Sequence, residues 1–213
     1  MKSIKAAVNA QCPRQCPGFE AEVWSFICGG ADEDLKTAIM GGELNLLVCP
    51  SCGTLFHYQM PLVYFDPGME ILAFVFPDDC QAERGKWLAK MQEDFNVMRS
   101  GLLREMNIDF EPRIFFGMSD LRKFLGEDED LKEESEVICA LASETGFSLK
   151  KMKPSVSRSR GVPLVVPYAG KTCTESSVLE ASAQLLGASG ELARLKTFFN
   201  LLASGGDEAS GLL

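Results

Sequence analysis

Two short cysteine pairs constrain this chain more than any other feature: Cys12-Pro13-Arg14-Gln15-Cys16 and Cys49-Pro50-Ser51-Cys52-Gly53. Thiolates two to four residues apart can point at one centre while the backbone N–H groups of the turn face the sulfurs, and four of them suit a single tetrahedral metal, zinc above all. Proline after the first cysteine stiffens each turn, and Gly53 accepts the positive φ that such turns require. The 32 residues between the pairs must fold back to unite them. A strand, a helix and a strand can do that.

The flanking pattern supports this. Residues 3–9 read as a strand, and Phe19 to Cys28 alternates as a half-buried one. Asp32-Glu33-Asp34 opens a short helix that Gly41-Gly42 stops. Leu44, Leu46 and Val48 lead into Cys49, and Thr54 to Gln59 lead away from Cys52. The second pair therefore sits at the tip of a hairpin, as in a zinc ribbon. Leu62 to Phe65 and Ile71 to Phe76 follow as strands, the latter apolar on both faces. A helix capped by Asp78 and Gln81 runs to about Leu103, with a seam of Leu88, Met91, Phe95, Met98 and Leu102 that packs on the chain's own sheet.

Further on, 104–118 reads as irregular, Ser119 caps a short helix, and the acidic segment from Gly126 opens another that reaches about Glu144. Phe147 to Met152 and Val162 to Val166 read as strands joined by a basic, Ser-rich loop, Pro154 to Gly161. Thr172 with Glu175 forms a capping box for a last helical region, broken near Gly187 or Gly190. The resulting class is α+β: a zinc-ribbon-like antiparallel lobe with a short helix inserted and a long one after it, then a smaller α+β lobe. The boundaries are 1–105 for the metal-binding domain, 106–126 for a linker and short helix, 127–204 for the second lobe and 205–213 for a flexible tail.

Cys12-Pro13, then Gly42-Glu43-Leu44-Asn45 before Cys49-Pro50-Ser51-Cys52-Gly53, then Pro61 to Asp66, together resemble the CpXC family, whose name comes from two Cys-Pro-x-Cys motifs. The match runs over about 10–78 and extends toward 105; the second lobe is unmatched. The resemblance implies a prokaryotic zinc-binding domain and implies no particular activity. Cys12 and Cys16 enclose three residues where the family has two, so Cys28 is the substitute ligand if Cys16 turns away. The expected ligands are Cys12, Cys16, Cys49 and Cys52 around one structural Zn2+, because a closed four-sulfur site has no open position for water or substrate.

Other signals are weaker. His57, the sole histidine, has no nucleophile placed near it, and no catalytic residue is assigned. Gly170-Lys171-Thr172 lacks the earlier glycine of a phosphate-binding loop, since position 165 is Val. Lys150, Lys151, Lys153, Arg158 and Arg160 form a basic stretch without aromatic interleaving. They read as solvated strand edges and loop, or as an electrostatic partner for the acidic run from Glu127 to Glu136, rather than as a nucleic-acid surface. The net charge of −9 also opposes phosphate backbones and anionic membranes. The isolated Cys28, Cys80, Cys139 and Cys173 read as small buried hydrophobes. Met1 to Ala10 has no apolar signal core, and paired cysteines suit a reducing, cytoplasmic setting. The expected function is a non-enzymatic zinc module acting through a protein partner or self-association. The alternatives are a nucleic-acid binder using Lys150 to Arg160 and a thiol redox protein.

Overall fold

The computed structural model describes residues 1–101, 103–106, 108, 110–205 and 213. The chain divides into two compact units, Met1–Leu125 and Gly126–Leu213. The α+β class holds in both.

The first unit is organised by the most apolar strand. Strands β1 (Ile4–Ala10), β2 (Phe19–Cys28), β5 (Leu62–Asp66), β6 (Ile71–Phe76) and β7 (Arg113–Phe116) form one sheet in the order β1-β2-β5-β6-β7. The β1/β2 and β5/β6 pairs are antiparallel; β2/β5 and β6/β7 are parallel, so the sheet is mixed. Every residue of β6 is buried, as its unbroken apolar run requires. Between β2 and β5 come helix α1 (Glu33–Gly41) and the small hairpin β3 (Leu46–Val48) and β4 (Leu55–His57).

The seam of helix α2 (Arg84–Ser100) does pack on this sheet. Met91 and Phe95 join Leu72, Phe74, Phe76 and Phe116 in one buried cluster, with Leu88 and Met98 against it. Burying such side chains contributes roughly 1.5–3 kcal/mol each. Leu102 lies outside the described residues. Two expectations are corrected here. Asp78–Glu83 is a 3-10 turn without a side-chain cap, so α2 begins only at Arg84. Residues 113–116 are not irregular, because β7 pairs with β6 from Ala73↔Arg113 to Phe76↔Phe116.

Helix α3 (Met118–Thr145) is one continuous 28-residue element that runs through Gly126, not the two helices expected, since a single interior glycine costs a helix only about 1 kcal/mol. In the second unit, β8 (Ser148–Lys151) pairs antiparallel with β9 (Val165–Tyr168). The basic segment between them is not a loop. It forms helix α4 (Pro154–Arg160), with Pro154 in its first turn and Gly161 closing it at φ 65. Its Arg158 is buried against Asp128, Nη1 to Oδ2 3.2 Å, which realises the pairing with the acidic run. Glu134 accepts hydrogen bonds from the backbone N–H groups of Arg194 and Leu195 at 2.8 and 2.9 Å. It thereby places a carboxylate at the start of helix α6 (Ala193–Ala203), where the helix dipole favours one. The capping box of helix α5 (Glu175–Ala188) is Thr174 with Ser177, not Thr172 with Glu175. Of the tail expected at 205–213, residues 206–212 lie outside the described residues.

Candidate metal centre

The two turns are built by local chemistry. In the first, the Gln15 N–H donates to the Cys12 carbonyl at 2.9 Å, and the Arg14 N–H points at Cys12 Sγ, 3.4 Å away. Gln15 takes a left-handed φ of 58, which absorbs the third residue of the spacing and turns Cys16 back toward Cys12. In the second, the Cys49 N–H donates to the Thr54 carbonyl at 2.9 Å and the Gly53 N–H to the Cys49 carbonyl at 2.8 Å. Gly53 sits at φ +70, a conformation that costs a residue with a Cβ about 1–2 kcal/mol.

Longer-range contacts unite the turns. The Asn45 side chain clips the base of the β3–β4 hairpin to β2: its Oδ1 accepts from the Trp24 N–H at 2.7 Å, and its Nδ2 donates to the Trp24 carbonyl at 2.9 Å. Phe19 at the start of β2 meets Phe56 of β4 edge-on, with ring centroids 6.3 Å apart. Cys12, Cys16, Cys49 and Cys52 consequently place their four sulfurs within 4.8 Å of one another, with Cys12 and Cys52 at 3.7 Å.

Four sulfurs at zinc's bond length of about 2.3 Å form a tetrahedron with edges of about 3.8 Å. The set is thus within about 1 Å of that shape at its widest, and the donor chemistry fits a metal ion. Cys12 and Cys49 are 2% and 1% exposed, Cys16 is half-buried and Cys52 faces solvent, which leaves an open side for entry.

The thiols are not electrostatically equivalent. Burial pushes the Cys12 thiol up. Cys16 is pushed up to about 12, first by the neighbouring Cys52 sulfur and then by desolvation. Cys52 is lowered to about 6, first by the Thr54 hydroxyl and then by the Thr54 backbone N–H. The Thr54 Oγ1 lies 3.2 Å from Cys52 Sγ, so its O–H can donate to a thiolate. Metal binding replaces protons at such a site, and Cys52 is the sulfur best prepared for it.

The CpXC protein family model matches residues 10–130, more than half of the chain. The chain belongs to the CpXC family. No curated protein and no solved structure matches it. The match reaches beyond the motifs that suggested it, through α2 and β7 and into α3. In this CpXC chain the irregular first pair still closes, so Cys28 is not needed as a ligand; it is 5% exposed and packed in the core of the sheet.

His57 is exposed and stands outside the sulfur cluster. Of the other isolated cysteines, Cys80 and Cys173 are half-buried, while Cys139 is exposed rather than buried as expected. The sequence reading missed the parts played by Thr54 and Asn45. Their only signal was position, directly after Gly53 and directly before β3. Among the described residues, no helix is long and apolar enough to cross a membrane.

Proposed function

We propose that Cys12, Cys16, Cys49 and Cys52 hold one Zn2+ as a structural staple, and that the chain is a non-enzymatic module acting through a protein partner or through self-association. The observation that carries the metal is the convergence of four sulfurs from two distant turns. Four thiolates complete a tetrahedron and leave no position for substrate, which favours a structural role.

Val48 and Leu55 support the interaction reading. They are cross-strand partners beside the cysteine turn and are 58% and 57% exposed, an apolar pair open to solvent. Metal analysis of the purified protein tests the first part. Stoichiometric zinc, lost in the variant C49S, is the expected result; a metal-free native protein with eight titratable thiols would refute it. For the second part, V48K/L55K should retain zinc and lose the partner or the self-associated state; unchanged association refutes that surface.

A second reading, a thiol redox protein, is favoured by the approach of Cys12 Sγ to Cys52 Sγ at 3.7 Å. A reversible two-electron titration would promote it, and zinc-locked thiols would remove it. Nucleic-acid binding through Lys150 to Arg160 loses Arg158 to its buried pair with Asp128.

A further inference from the structure

A cavity of about 230 Å³ lies wholly within the first unit. Its floor is apolar: Ile39, Leu44, Leu62, Val75 and Phe76 line it, and each is at most 8% exposed. Its polar lining includes one cation and one anion, the half-buried Arg122 and, at the solvent-facing rim, the exposed Asp78.

Glycines seat both charges. Arg122 lies over Gly42 at the end of α1, where a Cβ would come within 2.7 Å of Nη1. Asp78 lies over Gly117 at the start of α3, where a Cβ would come within 1.9 Å of Oδ1. Among the described residues Arg122 and Asp78 pair neither with each other nor with any other charge. Among the described residues, the side-chain hydrogen bond that Asp78 makes is one it accepts from Gln59 Nε2, at 3.5 Å.

A small concave site with an apolar floor and a few fixed polar groups is the usual form of a ligand pocket. Two opposite charges on its wall that do not meet one another favour a ligand that carries both signs. We propose that this cavity binds a small zwitterion of the α-amino-acid type with an apolar side chain. Arg122 takes the carboxylate, for which a guanidinium is the best-matched donor. Asp78 takes the ammonium, and the side chain lies on the floor formed by Ile39, Leu44 and Val75.

Other ligand classes fit less well. A phosphate dianion would meet the Asp78 carboxylate. The wall is completed by the base of the β3–β4 hairpin, where the Tyr58 N–H donates to the Asn45 carbonyl at 2.9 Å. The hairpin that carries Cys49 and Cys52 at its tip therefore closes on the cavity at its base. The proposal stands whether or not the cysteines hold metal.

The test is a titration of the purified, isotope-labelled chain with leucine, followed by amide NMR shifts. Two truncated probes run in parallel: 4-methylpentanoate, which lacks the ammonium, and isoamylamine, which lacks the carboxylate. Leucine should give saturable shifts at Gly42, Tyr58 and Gly117, with both truncated probes weaker by about tenfold or more. R122Q should weaken leucine but not isoamylamine, and D78N should weaken leucine but not 4-methylpentanoate. No saturable shift up to about 20 mM leucine, shifts that map elsewhere, or a truncated probe binding as tightly as leucine would overturn the proposal. The comparison of probes needs no variant, so a misfolded R122Q or D78N leaves the test intact.

Discussion

Replacing Asn45 with alanine isolates one contact that joins the cysteine-bearing hairpin to the main sheet. On that edge of β2 the neighbouring strand begins only opposite Phe26, where Val63 pairs. At Trp24 the Asn45 amide takes the place of a strand, accepting at 2.7 Å and donating at 2.9 Å. N45A removes both bonds and leaves two half-buried backbone groups without protein partners, at a cost of about 1–3 kcal/mol. Asn45 also has φ 55, which alanine tolerates less well than asparagine by about 1 kcal/mol. The total is about 2–4 kcal/mol. N45G should recover the backbone part but not the hydrogen bonds. N45D keeps the acceptor for the Trp24 N–H but sets an oxygen against the Trp24 carbonyl, so it should not rescue. The two tryptophans, Trp24 and Trp87, both lie in the first unit, so urea unfolding followed by tryptophan fluorescence reads it directly. N45A within about 0.5 kcal/mol of the parent, or N45D as stable as the parent, would refute the strand-substitute argument.

In the metal-free protein Cys52, lowered to about 6, should be alkylated fastest among the cluster cysteines at neutral pH, and T54V should slow it, as measured by mass spectrometry. The sign follows from the direction of the shift: the thiolate's contribution to stability is fully present above the ordinary thiol value of 9.0 and is lost as pH falls through about 6. G117A should cost about 1–3 kcal/mol in thermal or urea unfolding, since Gly117 has φ +88 and faces the Asp78 carboxylate, and D78A should partly restore it. R158M removes the guanidinium beside the Asp128 carboxylate, 1% exposed, and should cost about 3–5 kcal/mol by circular dichroism. The double variant D128N/R158M should lose less than the sum of the single changes.

The readings that succeeded rest on local pattern. The bounds of β2 and β6 were legible because alternation and an unbroken apolar run each admit few other uses. The α2 seam was legible from its 3-4 spacing. β7 was missed because Ile114-Phe115-Phe116 is a strand only by virtue of β6, about forty residues earlier, which pairs with it in parallel. Helix α4 was read as a loop because serine-rich segments are weak helix formers. What holds it is tertiary: Arg158 on Asp128, and the Ser157 hydroxyl donating to the Pro163 carbonyl at 3.0 Å. Thr172 with Glu175 has the commoner form of the box, an acid three residues after the cap, whereas the cap observed is Thr174. The Ser177 hydroxyl fills the same role here.

The sequence alone determined that this chain carries two tight cysteine turns, one at a hairpin tip, because proline, glycine and thiol spacing act over a few residues. It also pointed to the CpXC family through those motifs. Only the tertiary structure decided that all four sulfurs meet and that Cys16 and not Cys28 completes the set. It likewise decided that Arg122 and Asp78 face one cavity. Each of these depends on contacts between segments tens of residues apart, Asn45 with Trp24 and Phe19 with Phe56 among them. Spacing along a chain carries no information about such meetings until the core has packed.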